Sequence, residues 1–267
     1  INGKPMIDQV ISTAKKLNPF QIITVIGYKH EILEDHLKNQ NLNFAYQFNQ
    51  KGTGHAVSKT KKFFNNHNGD VLILSGDVPM LSYKTLDQLW KHHINNNATA
   101  SVLTAELDDA TGYGRIIRDD GDNLKKIVEH KDASDSEKTI NEINTGIYIF
   151  DSKALFLELP KLKNNNIQGE YYLPDVLLYI LKGNKKVSLL KTKNYYEIQG
   201  VNNKEQLHRD YKIKEGSYFI YFFYPIRWIR QLRQFFMPIL RGFLSIEEKK
   251  RASLIKTYTN YLQKDYL

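Results

Sequence analysis

Ser75-Gly76-Asp77 follows four consecutive apolar residues, Val71-Leu72-Ile73-Leu74. A run of that kind reads as a strand buried on both faces, as in a parallel sheet covered by helices. A carboxylate just past the carboxyl end of such a strand sits where open α/β sheets collect their ligands. Gly76 lets a ligand approach the backbone, and Asp77 has the chemistry to hold a divalent cation against phosphate oxygens. Alone, a Gly-Asp pair is an ordinary turn. Other groups along the chain give it a context.

In the segment Gln47 to Ala56, QFNQKGTGHA, two glycines flank Thr53 at a strand-to-helix junction. Gly52 and Thr53 free backbone N–H groups to face an anion or a base edge. Gln47 carries both a donor and an acceptor, which suits the imide edge of uracil or thymine. His55 in the same run reads first as a packed helix histidine. Further on, Gly114 lies in TGYGRI, Glu129 in VEHKDA, Asn144 in EINTG and Asn202 in GVNN. Each is singly a turn or a cap. Together they are carboxylates, amides and glycines at element ends, which is how a sugar-phosphate pocket is built.

The elements that must position these groups alternate. Met6, Ile7, Val10, Ile11 and Ala14 recur at helical spacing, and Gln21 to Ile26 is a short β-branched strand. A polar helix at 31–37, a strand at 43–47, a helix ending near Phe64, the strand at 71–74 and a helix capped by Ser82 follow. That order means βαβ units and a mostly parallel sheet. Beyond Asn97 the pattern loosens, with strands expected at 98–107, 127–129, 147–150 and 187–190. Helices are expected at 171–181 and from about Lys204.

The chain of 267 residues has room for one large α/β domain with an appendage. It has no cysteine, no segment resembling a signal peptide and no apolar run of membrane-spanning length, which together fit a cytoplasmic protein. Its net charge of +9 is uneven: Lys204 to Leu267 holds 13 Lys/Arg against 6 Asp/Glu. The basic character belongs mostly to the tail, so nucleic acid is not an expected partner of the main domain.

The ordered series QxxQxGTGHA, GDVP, TGYGRI, VEHKDA, EINTG, NNNxQGEYYLPD and GVNN resembles the uridylyltransferase domain of bacterial N-acetylglucosamine-1-phosphate uridylyltransferases, over roughly residues 1–210. Those domains are usually fused to a glucosamine-1-phosphate acetyltransferase. The resemblance implies an α/β fold, the Rossmann-like nucleotide-diphospho-sugar transferase (glycosyltransferase-A-like) type. It also implies a Mg²⁺-dependent reaction in which UTP and N-acetylglucosamine 1-phosphate give UDP-N-acetylglucosamine and pyrophosphate, for cell-wall and lipopolysaccharide precursors. By motif, Gln47, Gly52 and Thr53 would hold the uracil. Ser75, Gly76 and Asp77 would line ribose and metal, with Ser75 where the family usually has Tyr. Gly114, Glu129 and Asn144 would bind the sugar. Asp77 and Asn202 would be the catalytic, Mg²⁺-holding pair, their oxygens within about 5–7 Å of each other. A homo-oligomer is compatible with the pattern.

Residues 211–267 depart from the family, forming a basic, α-helical tail in place of hexapeptide repeats. Within 226–244, Ile229, Leu232, Phe236, Ile239 and Phe243 fall on one helical arc and Arg227, Arg230 and Arg241 on the other. A basic amphipathic helix of this kind suits peripheral contact with a membrane surface. A helix packed on the domain or a partner, and foreign sequence from a frame change or fusion, are the competing readings. For the main domain they are a nucleotidyltransferase using another sugar phosphate or pyrimidine, and a non-catalytic sugar-nucleotide-binding module.

The family's glycine-rich loop, with its Arg and Lys, would lie upstream of Ile1, and the opening INGKPM reads as mid-domain. Residues 1–267 alone are therefore expected to show no more than trace uridylyl transfer, with several preorganised donors to the triphosphate missing. Supplying the upstream segment should rescue turnover. Activity of the 1–267 chain within tenfold of the completed protein would mean that the phosphate site is misplaced.

Overall fold

The computed structural model describes residues 5–65 and 69–201. Helix α1 (Met6–Lys15) buries Val10 and Ile11, two members of its apolar stripe, and ends on Lys15, where a cation suits the helix dipole. Strand β1 (Ile23–Ile26), helix α2 (His30–Leu37) and strand β2 (Asn43–Tyr46) form a βαβ unit, and β1 pairs with β2 in parallel. Helix α3 (Thr53–Ser58) runs into a short 3-10 helix at Lys61–Phe64 before strand β3 (Asp70–Ile73). Helix α4 (Tyr83–Asn95) starts at Ser82, whose hydroxyl accepts from the Thr85 N–H at 3.2 Å, as its position before the helix predicts.

Strands β4 (Ala100–Glu106), β5 (Arg115–Arg118), β6 (Leu124–Val128), β7 (Glu142–Asp151) and β8 (Val187–Thr192) join β3 in a six-stranded sheet. Its order is β6-β5-β7-β4-β8, with β3 also on β7. Helices α5 (Asp135–Lys138), α6 (Ser152–Glu158) and α7 (Asp175–Lys182) complete the described α-helices, and α7 begins after Pro174 rather than at Tyr171. That offset is physical: proline has no N–H for the helix interior and is tolerated only at a start.

The expected α/β architecture is present, and the expectation of a mostly parallel sheet needs one correction. Strands β3 and β4 do run in the same direction, but β7 lies between them and pairs antiparallel with both. Among the described residues, pairing is parallel only for β1–β2 and β4–β8. Two strands of one direction leave a slot that an antiparallel strand can fill with regular hydrogen bonds on both edges, and the ten-residue β7 does so. Strand β5 and helices α5 and α6 escaped the sequence reading because their short runs of polar and apolar residues carry little periodicity. The helix expected near Lys204 and the amphipathic arc at 226–244 lie outside the described residues. Among the described residues, no helix is long and apolar enough to cross a membrane.

Both faces of the sheet are covered. Along β7, Tyr148 and Phe150 join one core with Leu155 of α6 and Leu177 of α7. Ile147 and Ile149 join the other with Leu86 and Leu89 of α4. This is strand alternation with a hydrophobic residue on each side, the signature of a layer between helices. Strand β1 pairs only with β2, and β3 only with β7, among the described residues; residues of both line a cleft of about 910 Å³.

One buried carboxylate of the sheet is fully partnered. Glu142, at the start of β7, is buried and accepts from Arg118 Nε at 2.8 Å, Arg118 Nη2 at 2.7 Å and Thr104 Oγ1 at 2.6 Å. Burial pushes its carboxyl up, but the bonds from Arg118 and Thr104 and the charges of Arg118 and Lys191 outweigh that and hold it below the usual range. A depressed carboxyl contributes stability above its unfolded value, and that contribution is lost as the pH falls through the folded one. Arg118→Ala should cost about 2–3 kcal/mol at neutral pH, less than breaking a fully buried pair because Arg118 keeps some solvent. In denaturant titrations the deficit should shrink below about pH 4.5; a pH-independent deficit would assign the loss to packing of the Arg118 stem.

Candidate functional site

Ser75, Gly114, Glu129 and Asn144 gather at the sheet edge where β3 and β4 end and β7 begins. Three adjacent strands supply the first cluster. The Asn144 N–H on β7 donates to the Gly114 carbonyl, just before β5, at 2.8 Å. A Cβ on Gly114 would lie 3.2 and 3.3 Å from the two carboxylate oxygens of Glu129, which follows β6. Glycine at 114 is thus what lets Glu129 close on this wall. Glu129 has its carboxyl pushed up, first by burial and then by Asp132, Asp175 and Glu170.

Asn144 is itself held. The buried Tyr148 hydroxyl lies 2.6 Å from Asn144 Nδ2 and 2.9 Å from its Oδ1. Burial drives the Tyr148 phenol well above its ordinary value, so it stays a neutral hydroxyl. Tyr148 is absent from the sequence reading, although a signal was available: residues four apart on a strand share a face.

Ser75 belongs to the same edge, since a Cβ on Gly146 would sit 3.3 Å from its Oγ. Asp77 is tied in through its backbone, whose carbonyl accepts the Val201 N–H at 2.9 Å. Its carboxylate has no hydrogen-bond partner among the described residues, so the oxygens are open to a cation. Asn202, expected to share that cation, lies outside the described residues. No cluster of three or more His, Asp or Glu suited to a metal occurs among the described residues. Mg²⁺ does not require one, because it binds through one or two protein carboxylates and keeps waters and phosphates for the rest.

The second cluster is built where β2 runs into α3. Gln47 follows β2 and is half-buried; its Nε2 donates to the Gly52 carbonyl at 3.0 Å and meets His55 Nδ1 at 2.9 Å. This turn is zipped to a distant segment. The Tyr171 N–H donates to the Lys51 carbonyl and the Gly54 N–H to the Tyr171 carbonyl, both at 2.8 Å, and the Leu173 N–H donates to Thr53 Oγ1 at 3.0 Å. Asp132 grips the same segment, accepting from the Ile167 N–H at 3.0 Å and the Tyr172 hydroxyl at 3.2 Å. The 164–173 stretch therefore bridges the Gln47 turn and the Glu129 turn. Of this bridge the sequence reading had only the motif, not the roles of Asp132, Tyr171 and Tyr172.

Thr53, Ser75, Gly76, Gly114, Glu129 and Asn144 all line the cleft of about 910 Å³. Gln47, Gly52 and Asp77 are not among its lining residues. Such an arrangement offers amide, carboxylate and hydroxyl groups to a polyhydroxylated ligand, and an open carboxylate to a cation.

A family described as nucleotidyl transferase matches residues 1–202. The bifunctional protein GlmU of Bacillus cytotoxicus is 45% identical over 206 residues, 77% of this chain and 44% of its own length. That of Halalkalibacterium halodurans is 43% identical over 205 residues, 77% of this chain and 45% of its own length. The chain thus spans about half the length of the curated relatives it matches. Two solved structures share the fold. A Bacillus anthracis protein described as a glucose-1-phosphate thymidylyltransferase has a TM-score of 0.58 at 20% identity, covering 78% of this chain and 82% of its own. A UDP-glucose pyrophosphorylase has a TM-score of 0.54 at 21% identity, covering 73% and 82%.

Gly52 is the most constrained position of the second cluster. Its φ is +95°, and a Cβ there would approach Glu170 Cβ and the Tyr171 carbonyl oxygen, each at 2.8 Å. Gly52→Ala should cost on the order of 2–3 kcal/mol, from a backbone region closed to L side chains plus displacement of the paired segment. Denaturant unfolding of the two proteins measures it, and a cost under about 0.5 kcal/mol would show that the turn relaxes freely.

Proposed function

We propose a reaction for a chain that belongs to the nucleotidyl transferase family: transfer of the uridylyl group of UTP to N-acetylglucosamine 1-phosphate, giving UDP-N-acetylglucosamine and pyrophosphate. The observation that carries it is the convergence of Gly114, Glu129 and Asn144 on one wall of the cleft that Thr53, Ser75 and Gly76 also line. The likeness to bifunctional GlmU proteins over residues of this half adds the substrate pair.

In this reading the sugar phosphate brings its own nucleophile. A phosphate oxygen attacks the α-phosphorus of UTP, the bond to the bridging oxygen of the β-phosphate breaks, and pyrophosphate leaves with the electron pair. No protein base is required. The chain's task is to hold the two reactants in line and to limit their freedom. Glu129 and Asn144 accept and donate to sugar hydroxyls and the acetamido group, and Tyr148 keeps the Asn144 amide from swinging. Gln47, Gly52 and Thr53 take the base. Asp77, with Asn202, would hold Mg²⁺, which when bound supplies charge neutralisation for the phosphates. UTP and the sugar phosphate place the reaction in the cytoplasm, feeding envelope-precursor synthesis.

Thymine presents the same imide edge as uracil, so Gln47 alone does not separate the two pyrimidines. The sugar wall does more to favour the N-acetylglucosamine reading, and it is the part to test. Glu129→Ala should weaken UDP-N-acetylglucosamine binding about tenfold, because a sugar hydroxyl loses a buried partner. The affinity for UTP should change less than twofold. Calorimetric titration of both ligands measures the split; equal loss for both would make Glu129 a structural residue and remove the support for a sugar site here.

A further inference from the structure

We propose that His55 is a specificity-determining residue: by accepting a hydrogen bond from Gln47 it fixes which end of the Gln47 amide faces the nucleobase. The inference rests on the uridylyl-transfer reading, in which Gln47 meets the base.

The orientation of an amide is decided by its neighbours. Gln47 Nε2 lies 3.0 Å from the Gly52 carbonyl oxygen, which can only accept, so the NH₂ end must point there. The second hydrogen of the same NH₂ then points at His55 Nδ1, 2.9 Å away. That nitrogen must carry a lone pair, so His55 is neutral with its proton on Nε2. With both amide hydrogens engaged, Gln47 has only its Oε1 left, and that oxygen has no partner among the described residues.

The surroundings hold His55 in this state. Lys51 and Lys59 face it from its own segment, the Tyr171 ring packs beside it from the bridging stretch at 6.5 Å between centroids, and Glu170 lies against Gly52. Burial, then Lys59 and Lys51, push the imidazole below its usual range. A protonated ring would set an Nδ1–H against the Gln47 NH₂, donor against donor.

The consequence is a choice between pyrimidines. An amide presenting only an oxygen pairs with the N3–H of uracil. Cytosine has a lone pair at N3, and would meet that oxygen acceptor against acceptor. Without His55, the Gly52 carbonyl alone opposes a flip, and a flipped amide would offer cytosine an NH₂. His55 touches no reacting atom. It acts through Gln47.

The test compares equilibrium binding of UDP and CDP, by calorimetry at pH 8, to the wild-type chain and two variants. His55→Leu removes the acceptor and should lower the UDP-over-CDP preference about tenfold, the size of one neutral hydrogen bond. His55→Asn can place its own carbonyl oxygen near the position of Nδ1 and should restore most of the preference. If the leucine variant does not fold, His55→Ala removes the acceptor without bulk. A preference unchanged in His55→Leu, or lost as fully in His55→Asn, overturns the assignment while leaving the uridylyl reading in place. A wild-type chain that binds CDP as well as UDP, or neither, overturns both.

Discussion

Strand β7 is the constraint on which the site depends. It is buried on both faces and hydrogen-bonded on both edges, and a strand in that position cannot shift register without exposing two sets of side chains and unpairing two ladders. Its first residues are Glu142, Ile143 and Asn144, so the packing that locks Phe150 into the core also sets Asn144 beside Gly114. Glu142 is anchored by Arg118 and Thr104 from flanking strands. The wall of Gly114, Glu129 and Asn144 is thus built on the open end of the most restrained strand among the described residues.

The second half of the site hangs on a different device. The Gln47–His55 turn belongs to the β1–β2 unit, whose hydrogen bonding is separate from that of the six-stranded sheet. What ties the turn to the Glu129 side is the 164–173 stretch, paired with Lys51, Thr53 and Gly54 at one end and gripped by Asp132 at the other. At the Lys51–Gly54 end two of the three bonds run from backbone to backbone, whereas at the other end both depend on the Asp132 carboxylate.

Electrostatics follows the same logic. Carboxylates with a structural task, such as Glu142, have cationic partners and sit low. Glu129, facing the cleft, has neighbours of its own sign and is pushed up. A group left without a partner inside a folded protein costs stability, and such groups are retained at sites that bind.

The sequence by itself determined the local elements with strong patterns: the apolar run before Ser75, the stripe of α1, the Ser82 cap and the β-branched strands. It also determined the family, because seven short motifs occur in order, and with it Thr53, Ser75, Gly76, Gly114, Glu129 and Asn144, which line the cleft. Those features are written in nearest-neighbour chemistry and spacing, which one chain displays directly. Tertiary structure alone decided that β7 lies antiparallel between β3 and β4, since strand direction depends on partners far apart in sequence. It alone paired Tyr148 with Asn144, Asp132 with Tyr172 and His55 with Gln47. A hydrogen bond is satisfied by any partner of the right type within about 3 Å, and only the folded chain fixes which of many Tyr, Asp and His residues comes that close.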